Sequence, residues 1–182
     1  TIERPSWLED NLLGFLAEID YGNKPFWITD GSTPIWTANV AYKTSIFSNG
    51  LIFDERYTRV GKQIGGGSDA IMFERLLKQG AKIRYRPDMA VKHFVEEWRL
   101  KRSYFLKLHY INGKKYALWK LDEYPRTFLG VPPFLFIQTV KHFIKTPKMI
   151  MTSSPGMLRQ AMNGTYALGM IMGCFLRWKN VR

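Results

Sequence analysis

Gly65-Gly66-Gly67-Ser68-Asp69 is the stretch whose residue types could do chemistry. Three glycines let the backbone turn sharply and let a ligand approach closely. Ser68 or Asp69 then supplies a side-chain oxygen at a helix N-terminus. The helix predicted to follow carries Ile71, Phe73, Leu76 and Leu77 on one apolar face and stops at Gly80. A carboxylate held where a loop meets a rigid helix is well placed to point into a cleft. The same spacing suits a plain helix cap. The residues alone leave both roles open.

Further along, Lys82 to His93 reads KIRYRPDMAVKH, and Arg99 opens an aromatic and basic helix. Upstream lie Thr37-Ala38-Asn39-Val40-Ala41-Tyr42-Lys43 and Gly50-Leu51-Ile52-Phe53-Asp54-Glu55. In this order, over about residues 5 to 113, the segments resemble the second half of family 2 glycosyltransferases. The resemblance implies an α/β chain, the C-terminal part of the Rossmann-like GT-A fold followed by an α-helical tail. Residues 1–113 would be the acceptor-side half, 114–131 a basic linker, and 132–182 an amphipathic tail on a membrane surface.

The activity implied is inverting transfer of a sugar from a nucleotide-sugar donor to a polysaccharide or lipid-linked acceptor. Asp69 would be the general base. Asn39, Gly65, Gly66, Gly67, Ser68 and Arg99 would surround donor and acceptor. His93 would stand at the divalent ion (Mn2+ or Mg2+) and diphosphate. The family usually has Glu-Asp where this chain has Ser68-Asp69, so the aspartate is kept and the flanking acid is lost. The family's metal-binding Asp-x-Asp does not occur in this sequence. The resemblance places it ahead of residue 1, and the chain by itself is expected not to transfer sugar.

Charge is unevenly placed. Residues 1–98 hold 12 Lys+Arg and 13 Asp+Glu, whereas residues 99–182 hold 15 and 2. The basic half calls for an anionic partner, a membrane surface or a nucleic acid. No RNP-like or helix-turn-helix pattern accompanies it, so a nucleic acid is not expected. A non-catalytic basic module on the membrane surface is the alternative reading, and an RNA-binding domain a third. The single cysteine, Cys174, excludes an internal disulfide framework. One cysteine and three scattered histidines give no zinc spacing. No signal peptide is expected, since residues 1–3 open no basic or apolar leader. The expected location is the cytoplasmic face of the cell membrane, held peripherally.

The elements that must position these residues can be read from pattern. A short helix runs through Leu12, Leu13 and Leu16, and Asp20 to Pro25 is a turn, with Asp20 and Tyr21 structural or on the acceptor side. Ile35–Tyr42 reads as a strand or strand edge. Lys43–Ser48 reads as a short helix ended by Asn49-Gly50, and Asp54-Glu55-Arg56 as a surface turn. A mobile loop follows from Tyr57 to Gln63. Ile83 and Tyr85 alternate with basic residues as in a half-buried strand, and Met89–His93 is a second strand. Arg99–Ile111 is an amphipathic helix ended by Asn112-Gly113. Phe134, Ile137, Val140, Phe143 and Ile144 form the stripe of another helix, ended by Pro147. The last helix, Met157–Trp178, has 17 uncharged residues from Gln160 to Leu176, short of the ~20 a membrane span needs. It is expected to lie in the membrane interface, with Arg177, Trp178, Lys179 and Arg182 at headgroup level, or to pack on a neighbour. Gly169 and Gly173 would permit close helix packing.

Overall fold

A computed structural model describes residues 3–48, 50–58, 61 and 64–181. They divide into two compact units. One is drawn from Asp10–Gly61 and Gly66–Glu96, the other from Thr1–Glu9, Lys62–Gly65 and Glu97–Arg182.

In the first unit, strand β1 (Phe26–Ile28) pairs antiparallel with β2 (Ile83–Tyr85), Trp27 opposite Arg84. Three-residue strands make a marginal ribbon alone. An aromatic cluster supports this one: Tyr21 lies 5.4 Å from Tyr85 and Phe26 lies 5.2 Å from Tyr85, ring centre to ring centre. The Tyr21 hydroxyl donates to Pro34 O at 2.6 Å, which makes Tyr21 structural. Asp20 Oδ1 accepts from Gly22 N at 2.8 Å and closes the expected turn.

Helix α1 (Ser45–Ser48) is short, and its expected stop at Asn49 lies outside the described residues. The same holds for 59, 60, 62 and 63 of the expected 57–63 loop. Helix α2 (Ser68–Lys78) buries Ile71, Met72, Phe73 and Leu76. Met72 and Leu76 pack on Leu51, with Tyr42, Ile46, Phe53 and Ile83 around them. The helix ends as read, with Gly80 at φ +68°.

The chain does not form the expected Rossmann-like α/β GT-A fold. Helices take 54% of it and strands 5%, in one two-stranded sheet. A parallel sheet needs neighbouring strands joined by crossovers. Here the alternation of Ile35–Tyr42 is broken by a 3-10 turn at Thr37–Asn39, and Met89–His93 joins no ladder.

The second unit is helical: α3 (Arg102–Trp119), α4 (Pro133–Met151) and α5 (Met157–Val181). Arg99 precedes α3 in a 3-10 turn, Glu97–Leu100. Phe105 on α3 is fully buried, with Trp7 edge-on at 5.8 Å. His109, one turn on, is buried too, and burial holds its imidazole neutral, down to about 4. Gly113 does not end α3. It sits where α3 meets the backbone of α5 at Tyr166, and the helix continues through it. Pro147 does not end α4 either. Proline leaves the carbonyl four residues back without its donor. That carbonyl belongs to Phe143, on the exposed face of the helix, within reach of water. Ala117, Leu121, Val131, Leu135, Met170 and Cys174 form the core of this unit.

Of the two placements expected for α5, the helix takes the one packed on neighbouring helices. Leu158, Met162, Ala167, Met170 and Cys174 are buried against its neighbours. Arg177 donates to Leu121 O at 2.8 Å, and Trp178 lies against Gly130. Arg182 is outside the described residues. No described helix is long and apolar enough to cross a membrane.

Candidate functional site

The glycine run behaves as its composition demands. Gly65, Gly66 and Gly67 have φ of +143°, +147° and +110°. L side chains avoid all three values, so glycine is required for the path that delivers the chain into α2. Gly67 is the N-cap and has no side chain to offer, so the first turn of α2 begins with uncapped amides. Ser68 is its first residue. Asp69 is its second, half-buried, and Ala70 N donates to its Oδ1 at 2.9 Å. One oxygen serves the helix start, and Oδ2 has no hydrogen-bond partner among the described residues.

Tyr42 lies within electrostatic reach of that carboxylate. Burial, and then the Asp69 charge, push its phenol above the ordinary tyrosine range, so it stays protonated. The ring is fixed edge-on by Phe47 at 5.7 Å and Phe53 at 6.0 Å. Tyr42 was not among the expected site residues. Its signal was its place in the Asn39 segment, which the fold brings to Asp69.

In the turn Asp54-Glu55-Arg56, Glu55 and Arg56 lie at the surface as expected, but Asp54 is turned inward. Asp54 is only 9% exposed. Arg56 grips it with Nε to Oδ1 at 2.9 Å and Nη2 to Oδ2 at 2.6 Å, and Arg75 Nη2 reaches Oδ2 at 3.1 Å. Arg75 also donates to Ile52 O at 2.9 Å. Because Arg75 belongs to α2, this carboxylate anchors the helix that carries Asp69. The Arg56 hydrogen bond is the main cause holding Asp54 down to about 2, against 3.8 for the free side chain. A carboxyl acidified by folding stabilises the fold above its unfolded value and loses that contribution as it is protonated. We therefore expect this part of acid unfolding to run between pH 3.8 and about 2. Asp54→Asn should remove it and lower stability at neutral pH by roughly 1–2 kcal/mol, since both arginines are partly exposed and screened. Urea titrations at neutral and acid pH, followed by circular dichroism, measure both effects.

The remaining expected residues fall elsewhere. Asn39 is exposed, and its Nδ2 donates to Met89 O, stapling the 3-10 turn to the loop after β2. His93 is exposed on a stretch without regular structure. Among the described residues, no three His, Cys, Asp or Glu side chains converge as metal ligands. His93 therefore has no ligand set around it among the described residues. In the helical unit, Arg99 Nε donates to the Tyr104 hydroxyl at 3.2 Å, and its guanidinium lies 5.4 Å from the Tyr104 ring centre. Lys115 was not foreseen. Its Nζ stands 3.5 Å from where a side chain on Gly65 would begin, and burial lowers its proton affinity.

The geometry is that of a half-buried carboxylate at the head of a helix, after a glycine-only turn, with one oxygen that no described residue engages. Comparison with known proteins adds no class to this. No family model matches the chain, and neither curated proteins nor solved structures give a match.

Proposed function

We propose that the chain is the acceptor-side part of a family 2 glycosyltransferase, working with a separate nucleotide-binding segment. The observation that supports this reading most is the geometry at Asp69: three glycines at positive φ lead into a helix whose second residue presents a carboxylate oxygen with no hydrogen-bond partner among the described residues. The Asn39 and Asp54 segments surround the same helix, through Tyr42 on one side and Arg75 on the other.

In the reaction, Asp69 Oδ2 takes the proton of an acceptor hydroxyl. The acceptor oxygen attacks the anomeric carbon from the side opposite the leaving group. The bond from that carbon to the diphosphate breaks, its electrons leave with the nucleoside diphosphate, and the configuration inverts. Tyr42, kept protonated, adds no second negative charge beside the base. The acceptor is a glycan or a lipid-linked sugar, whose hydroxyls need this activation.

The test is transfer of labelled sugar from a panel of nucleotide-sugars to lipid-linked acceptors. It compares this chain alone with the chain supplied together with a nucleotide-binding segment. Turnover only in the combined arm, with inversion at the anomeric carbon by NMR, supports the reading. Robust turnover by the chain alone overturns the division of labour. Retention of configuration overturns the role of Asp69 as base.

A further inference from the structure

We propose that the outer face of α4 is a docking surface for a lipid bilayer carrying anionic headgroups. The inference does not rest on the sugar-transfer reading.

Leu135, Thr139, His142, Thr146 and Met149 recur at helical spacing, are buried or half-buried, and face the rest of the unit. His142 Nδ1 pairs with Gln160 of α5 at 2.8 Å, which fixes the rotation of α4 about its axis. That rotation turns a second apolar stripe outward. Ile137, Val140, Phe143 and Ile144 are 54–70% exposed, with Phe136 and Ile150 beside them. A stripe of this size left in water on a folded unit marks an interaction surface.

Charge identifies the occupant. Lys141, Lys145 and Lys148 follow one another at i, i+4 and i+7, and so form a row along the isoleucine edge of the stripe. From Tyr124 to Arg182 the sequence contains no aspartate or glutamate. An apolar face bordered by lysines is the pattern of a helix lying in the headgroup region. Its side chains enter the acyl boundary, and lysine stems carry their charges back to the phosphates. The turn before α4 adds a second apolar projection. Phe128 and Val131 bond to each other through N–H and carbonyl at 2.9 Å, leaving Phe128 and Leu129 exposed at the tip. Leu129 adopts φ +49°, a conformation in which a branched apolar residue is rare. A second copy of the chain fits this face less well. It would set its own lysine row against this one, like charge facing like.

The test is flotation of the whole chain with vesicles of phosphatidylcholine alone and of phosphatidylcholine mixed with phosphatidylglycerol, with sedimentation velocity on the free protein. Binding is expected to the mixed vesicles and to fall with added salt. Lys141→Gln, Lys145→Gln and Lys148→Gln should each weaken it roughly fivefold, and together roughly a hundredfold. Ile137→Ser with Ile144→Ser should abolish it, while circular dichroism stays unchanged because both side chains are solvent-exposed. Three results overturn the proposal. They are equal binding to both vesicle types, no loss in either set of variants, and a dimer in solution that the serine variants convert to monomer.

Discussion

Asp69→Asn is expected to lower the rate of sugar transfer about a thousandfold, the usual contribution of a positioned general base, with the fold intact. The substitution is nearly isosteric. The asparagine carbonyl still accepts from Ala70 N, so the first turn of α2 keeps its one side-chain bond. What is lost is the capacity of Oδ2 to take a proton. Two rival readings make different forecasts. If Asp69 only supports the helix start, Asn serves almost equally well and turnover stays within a few-fold. If the chain is a non-catalytic surface module, no substitution at Asp69 touches its function. Asp69→Ala separates the cases further, since it removes base and helix-start bond together and should add a loss of roughly 1 kcal/mol in stability to the loss of turnover. Kinetics on both variants, with melting curves alongside, decide between these outcomes. An Asn variant that retains turnover excludes Asp69 as the base.

What could be read in the sequence was what local physics determines. Three consecutive glycines before a helix start demanded an unusual backbone path, and the φ values show one. Gly80, Asp20-Tyr21-Gly22 and the start of α5 at Met157 followed from the same kind of local rule. The failures share a cause, which is that each depended on a partner distant in sequence. Alternation in Ile35–Tyr42 and Met89–His93 suggests strands, but a strand exists only where another edge accepts its hydrogen bonds. Just Ile83–Tyr85 found one, in Phe26–Ile28. Gly113 looked like a helix stop because nothing local reveals that another backbone needs its missing side chain. The burial of Asp54 was not legible in its turn because Arg75, which ties it to α2, lies 21 residues away. The membrane-surface reading covered the whole 132–182 tail, both its helices. The fold buries most of the uncharged run of α5 and leaves outward the apolar stripe of α4. Asp69 and the glycines meet at the start of α2, as the local pattern predicts, whereas Asn39 and Arg99 are committed to neighbours within their own units.

Gly169→Ala should destabilise the helical unit by about 3 kcal/mol, at the upper end of what overpacking a tight contact does, although alanine is the better helix former. The two effects oppose each other. In an exposed helix interior the change would gain roughly 1 kcal/mol. At Gly169, however, the new Cβ would overlap the carbonyl oxygen of Tyr110 on α3 and stand 2.9 Å from Lys114 N. Those are backbone atoms, so no rotamer change relieves the contact, and α3 and α5 must separate. Separation also loosens Gly113 against Tyr166 and Gly173 against Ala117, because the three glycines share one crossing. The internal control is Gly164→Ala on the same helix. Its Cβ would meet only the His142 Cβ, at an ordinary 3.4 Å, so the propensity gain should survive and stability should rise slightly. Urea midpoints for the two variants should therefore move in opposite directions. If both rise, the close approach of α3 and α5 is not present in solution. The α4 face would then need a different account, since its outward orientation depends on α5 being fixed where it lies.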